Sequence, residues 1–164
     1  MRQQLLLIVL LISSLTFSQN FKLTQPNILK LKKQNSTEVE SEIIYHYLTN
    51  NYKTTSKKYD IKYYEWDKSK ICAYSQKFKN GIQYAVSKCK ESGGIMINLE
   101  IPKIKRVELM KWIENIYEVD KAEEEQYIWK ENNSKFEPKE QIPGCYYKII
   151  EKEKKTQIEL YCGC

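Results

Sequence analysis

Five cysteines, Cys72, Cys89, Cys145, Cys162 and Cys164, are the residues whose type and spacing speak most directly of chemistry. Thiols cross-link, exchange electrons or ligate soft metals. Cys162-Gly163-Cys164 lacks the helix-start CxxC spacing of a redox pair, and no further ligands fall at the intervals a metal site needs. Structural disulfides are therefore expected, with no metal and no cofactor. Five is odd, so one thiol is left over, and Cys164 is the candidate for it.

Hairpin geometry narrows the pairing. A two-residue Asn80-Gly81 turn sets Lys79 opposite Ile82 and, counting outward, Cys72 opposite Cys89 at a non-hydrogen-bonded position, where Cα atoms approach to about 4.5 Å. A disulfide tolerates that separation. A three-residue Lys79-Asn80-Gly81 turn with a bulge would shift the register by one. The interval from Cys145 to Cys162 repeats that from Cys72 to Cys89, and a turn centred between Glu153 and Lys154 opposes the second pair as well. Alternation supports the second register, because Tyr147 then faces Leu160 and Ile149 faces Ile158, while Lys148 meets Glu159 on the other side.

Catalytic constellations are missing. His46 is the one histidine, and it lies off the apolar stripe of its helix, an exposed or boundary position. GxSxG, HExxH, GxxxxGK and GxGxxG do not occur. Asp60, Glu65 and Asp67 could furnish a carboxylate pair near one end of a sheet, an arrangement surface strands carry routinely. Thirteen Tyr, three Trp and four Phe are densest at Tyr63-Tyr64-Glu65-Trp66 and Tyr146-Tyr147. Alternation puts Tyr64 and Trp66 together on the face opposite Ile61, either beneath a helix or exposed as a binding surface for protein or carbohydrate.

The formal net charge is +6, carried almost wholly by lysine, since only Arg2 and Arg106 are arginines. Lysines interleaved with Glu along the chain read as a solvated surface. Nucleic-acid readers lean on arginine forks clustered on one face, so nucleic acid is not an expected partner.

The elements that must position these residues follow from periodicity. Thr24-Gln25-Pro26 can open a short helix through Ile28, Leu29 and Leu31. Thr37-Glu38-Val39-Glu40 is a capping box starting a helix that reaches about Leu48, with Val39, Ile43, Ile44, Tyr47 and Leu48 as its stripe. From Tyr59 the period becomes two. Strands are predicted near 59–64, 70–78, 82–89 and 95–101, joined by turns too short for anything but antiparallel pairing. Pro102 closes the fourth. Val107, Met110, Ile113, Ile116 and Tyr117 mark a helix over 105–119. A polar stretch, 120–141, holds Glu123-Glu124-Glu125 and a short strand near 127–129, and Pro143-Gly144 opens a last hairpin over 145–162. The expected fold is α+β: an antiparallel sheet, a four-strand meander plus a C-terminal hairpin of six or seven strands in all, with two main helices and disulfide staples. Asn35-Ser36-Thr37 and Asn132-Asn133-Ser134 fit the glycosylation sequon.

Residues 1–19 have the three parts of a secretory signal: Arg2, an apolar run over 5–15, and small residues at Thr16 and Ser18 before cleavage after Ser18 or Gln19. The run is too short for a stable membrane anchor, which needs about 20 apolar residues. Residues 20–164 then form one exported domain, secreted or periplasmic. Its expected role is a non-enzymatic protein-binding module of inhibitor or immunity type, the alternatives being a small secreted hydrolase using carboxylates or Tyr and a structural envelope component. Oligomeric state is not legible.

Overall fold

A computed structural model describes residues 21–35, 43–90, 93–120, 126–140 and 144–163. The leader, the capping box at Thr37 and Glu40, the Glu123-Glu124-Glu125 run and Cys164 lie outside the described residues.

Alternating apolar residues build one antiparallel sheet of eight strands: β1 (Tyr59–Tyr63), β2 (Ile71–Lys77), β3 (Gln83–Ser87), β4 (Ile95–Pro102), β5 (Tyr127–Lys130), β6 (Lys135–Pro138), β7 (Gly144–Glu151) and β8 (Lys155–Gly163). Their spatial order is β1-β2-β3-β4-β8-β7-β6-β5. The last strand therefore lies in the middle of the sheet, paired to β4 from Ile95↔Cys162 to Pro102↔Lys155 and to β7 from Gly144↔Gly163 to Glu151↔Thr156. Its register puts Ile158 and Leu160 beside Leu99 and Ile97 on one side and Ile149 and Tyr147 on the other, all buried on a common face. Burial of these side chains contributes about 1.5–3 kcal/mol each.

Three helices cover that face: α1 (Ile28–Asn35), α2 (Ile43–Asn51) and α3 (Arg106–Asp120). In α3 the buried residues are Leu109, Trp112, Ile113, Ile116 and Tyr117, spaced three and four apart, as an apolar stripe requires. Val107, expected in the stripe, is 76% exposed, because two residues before Leu109 is the far side of the helix. Trp112 packs edge-on against Tyr47 of α2, ring centroids 5.1 Å apart. The Tyr47 hydroxyl donates to the Thr24 carbonyl at 2.6 Å and lies 3.3 Å from Tyr52 Oη, tying the lead-in to α1 onto α2. Burial, reinforced by Tyr52, raises the Tyr47 pKa far above the usual phenol.

The sheet has eight strands where six or seven were expected, and three helices where two main ones were. β5 is the short strand expected near 127–129, and the added strand is β6, which completes a hairpin that the polar stretch hid because its turn uses three successive left-handed residues, Glu131, Asn132 and Asn133, with no glycine. Such residues are uncommon outside glycine, though asparagine tolerates the conformation best. Its apolar side chains, Tyr127, Trp129 and Phe136, stack on Tyr117 and one another instead of forming a long alternating run.

The β2–β3 turn also differs from the two-residue reading. Phe78 N–H donates to Ile82 O at 2.9 Å across a three-residue turn, Lys79-Asn80-Gly81, with Asn80 at φ 64° and Gly81 at φ 74°. The ladder then pairs Gln76↔Tyr84 and Tyr74↔Val86. Only this parity places Tyr74, Phe78, Ile82, Tyr84 and Val86 on the buried face together; a slip by one residue would turn one strand's apolar set to solvent.

Candidate functional site

Both hairpins are cross-linked. Cys145 and Cys162 are directly opposed, with Cα atoms 4.0 Å apart. Cys72 and Cys89 are joined at a Cα separation of 4.8 Å although the ladder sets Cys89 one residue beyond direct opposition. Regular pairing ends at Ala73↔Ser87, Lys88 N–H still donates to Cys72 O at 2.8 Å, and the extra residue lets Cys89 reach back. These bridges brace the strands next to both candidate surfaces.

The residues proposed for acid–base chemistry are not gathered. His46 is buried in α2, against the exposed or boundary position expected, because α2 is packed by α1 and α3 as well as by the sheet, where Tyr45 Oη bonds Gln76 Oε1 at 2.9 Å. Asp60 and Glu65 are solvent-exposed, while the Asp67 carboxylate accepts hydrogen bonds from Ser69 Oγ at 2.6 Å and Ser69 N–H at 3.0 Å and pairs with Lys70 at 3.3 Å. Those contacts, led by the Ser69 hydroxyl, hold the Asp67 pKa below the usual carboxylate range. Asp67 is thus a loop organiser: its turn closes the β1–β2 hairpin. Among the described residues no group of three or more His, Cys, Asp or Glu is placed to hold a metal.

That loop sets the candidate surface. β1 ends at Tyr63, so Tyr64 and Trp66 are not alternate strand residues. They come together because Tyr64 N–H donates to Lys70 O at 3.1 Å and Lys70 N–H to Asp67 O at 3.1 Å, folding the segment back on itself. Their rings stack at 4.9 Å, with Lys70 Nζ 5.2 Å from the Trp66 centroid. Among the described residues no helix covers them: Trp66 is 58% exposed and Tyr64 half-buried, and Tyr63 and Ile61 of the edge strand are 46% and 39% exposed. Among the described residues β1 is the outermost strand on this side and pairs with β2 alone, irregularly, with Asp60 at φ 52°. A bulge of this kind limits how much of the edge another strand can pair with and leaves side chains as the principal means of contact.

A second surface is the sheet face without helices. Tyr59, Ser75, Gln83, Ala85, Asn98 and Glu100 line a shallow depression of about 230 Å³ there. Asn98 Oδ1 is buried with no hydrogen-bond partner among the described residues. Glu100 is committed to Lys152 at 2.8 Å and Lys155 at 3.0 Å, which keep its pKa below the usual range. The depression is open and its one carboxylate is neutralised, so it offers less to a ligand than the aromatic edge does.

The charge distribution was the feature the sequence reading missed. Residues 53–79 hold eight lysines against Asp60, Glu65 and Asp67, which is +5 of the chain's net +6. Interleaving with Glu holds for the rest of the chain and fails here. A count by segment would have found it; the placement of those lysines on one edge needed the fold. No family model, curated protein or solved structure matches the chain.

Proposed function

We propose that this chain is an exported protein-binding module, residues 20–164 forming one domain, which holds its partner through the β1 edge and the Tyr64–Trp66 pair and acts by occupancy, as an inhibitor or immunity-type protein does. The observation that carries this reading is the concentration of exposed apolar surface. Of the large apolar side chains left exposed among the described residues, Ile61, Tyr63 and Trp66 fall within six positions, while Leu29, Met96, Val107 and Ile128 are scattered. Single exposed apolar residues are ordinary, whereas clustered ones with Trp and Tyr among them mark contact surfaces. The two disulfides and the absence of a long apolar helix among the described residues are compatible with an extracellular or periplasmic location.

A photo-crosslinking amino acid placed at Trp66, and separately at Val107 as an equally accessible site away from the edge, tests the reading in cells of the native host. A discrete crosslinked protein from position 66 that position 107 does not give is expected. Identical products from both positions, or none from either, would remove the binding-module reading.

A further inference from the structure

The aromatic edge and the lysine excess share one part of the molecule, and together they define the partner's chemistry. The Thr54↔Phe78 bridge, with Thr55 N–H donating to Lys77 O and Lys79 N–H to Lys53 O, both at 2.9 Å, lays segment 53–55 along the β2–β3 turn. Lys53, Lys77 and Lys79 therefore lie at one end of the edge, and Lys68 and Lys70 at the other beside Trp66, with Lys62 between them in β1. All six are exposed. A groove of about 380 Å³ runs between Thr55 and the Lys79-Asn80-Gly81 turn, its floor made by Phe78 and Ile82 and its rim by Lys77 and Lys79.

Few of these charges are used internally. Lys70 pairs with Asp67, and Lys58, apart from the other six, lies 3.8 Å from the Tyr74 ring centroid. Lys53, Lys57, Lys62, Lys68 and Lys79 form no ion pair among the described residues. Desolvating an unpaired ammonium costs several kcal/mol, so a partner that covers this edge must bring its own negative charge or leave the lysines at the rim. Lysine in place of arginine and exposed Trp and Tyr beside it favour a protein over a nucleic-acid backbone.

Resting on the binding-module reading, we infer that the partner presents an acidic protein segment: its apolar side chains meet Tyr63, Tyr64 and Trp66, and its carboxylates meet Lys62 and the groove rimmed by Lys77 and Lys79. The charge excess steers the encounter as well as completing the contact.

The test is selection from a display library of random peptides about 12 residues long on the oxidised chain, a length sufficient to span the edge at about 3.3 Å per residue. Enriched peptides are expected to combine several Asp or Glu with an aromatic or aliphatic residue. Their affinity should fall at least about tenfold in the triple variant Lys53→Glu, Lys77→Glu, Lys79→Glu and by a similar factor when salt rises to about 0.5 M. It should be unchanged in the control Lys30→Glu, Lys111→Glu, Lys139→Glu, which makes the same charge change at exposed positions of α1, of α3 and beyond β6, on the far side of the sheet. Neutral peptides lost with Trp66→Ala but indifferent to the triple reversal would overturn the acidic partner and leave the binding module standing. Peptides indifferent to both changes would overturn both. Retention of heparin or DNA by the parent chain but not by the reversal, with no peptide enriched, would assign the edge to an anionic polymer and overturn the inference.

Discussion

Cys145 of β7 and Cys162 of β8 face each other squarely in the ladder, while Cys72 and Cys89, separated by the same 17 residues, do not. The first bridge is carried by regular pairing. The second forms across an irregularity, in a hairpin whose register the core decides.

Each bridge closes a loop for which chain entropy gives about 3 kcal/mol. Replacing Cys145 and Cys162 by alanine together is expected to lower Tm by about 10 °C, since a destabilisation of that size shifts a domain of this length by a few degrees per kcal/mol. Thermal denaturation followed by circular dichroism checks it, and peptide mapping without reductant should recover the Cys72–Cys89 and Cys145–Cys162 links. A dominant Cys72–Cys145 link would contradict the fold.

The two hairpins also show what the sequence made legible. For β7 and β8 the cysteine spacing and the apolar alternation agree, and the register read from Tyr147, Ile149, Ile158 and Leu160 is the one observed. For β2 and β3 the two signals conflict: squarely opposed cysteines demand one parity, and Tyr74, Phe78, Tyr84 and Val86 demand the other. Packing wins because a slipped register exposes a whole apolar set, whereas an offset disulfide needs only a local bulge. Of the β5–β6 hairpin, β5 was legible as a short strand near 127–129, while β6 was not, for lack of a glycine turn. At the candidate surface, Tyr64 and Trp66 were picked out by type, yet their contact arises from the loop closed by Asp67 and Ser69, and the grouping of Lys53 with Lys77 and Lys79 depends on a tertiary bridge.

The register argument predicts the effect of turn substitutions. Gly81 sits at φ 74° with open space around its Cα, so Gly81→Ala introduces backbone strain without a clash. A loss of about 1 kcal/mol is expected. The Gln76↔Tyr84 cross-strand contact should persist in nuclear Overhauser spectra, because Phe78 and Ile82 hold the pairing. A shift to Lys77↔Tyr84 opposition would show that the turn, not the core, sets the register.

At the junction of helices and sheet, Trp112→Ala is expected to cost about 3–5 kcal/mol by leaving a cavity against Tyr47. Tyr47→Phe removes only a hydroxyl but leaves the Thr24 carbonyl without its donor, a loss of about 1–2 kcal/mol. Because that hydroxyl anchors the lead-in to α1, hydrogen exchange in 28–35 should accelerate in Tyr47→Phe while β4 and β8 stay protected. Uniform acceleration would mean that α1 does not depend on this bond.

Trp66→Ala should separate stability from binding. The ring is mostly in solvent and supports no buried neighbour, so Tm is expected to move by no more than the shift worth about 0.5 kcal/mol. Crosslinking to a partner from a probe at Tyr64 should nevertheless fall several-fold. A large loss of stability would make the aromatic pair a folding element and not a contact surface.

Acid should weaken the fold through the carboxylates that the sheet holds in ion pairs. Glu100 is kept below its ordinary value of 4.5 first by Lys152 and then by Lys155, and Glu137 first by Lys135 and then by Lys130. A carboxyl whose pKa is lower folded than unfolded contributes stability that is fully present above the unfolded value and is lost as pH falls through the folded one. Stability is therefore expected to be flat from neutrality to about pH 5 in respect of these groups and to decline below it. Lys135 is the mirror case: its raised pKa means its contribution is present below 10.5 and lost only as pH rises through the folded value. The lysines are half-exposed, so screening limits each pair to no more than about 1 kcal/mol. Urea unfolding of Glu100→Gln and of the parent at pH 7 and pH 3 checks the sign. The variant should be less stable than the parent at pH 7, and the gap should narrow at pH 3 as the parent's carboxyl takes up a proton. A gap that stays constant between the two pH values would mean that Glu100 acts through packing and not through its charge.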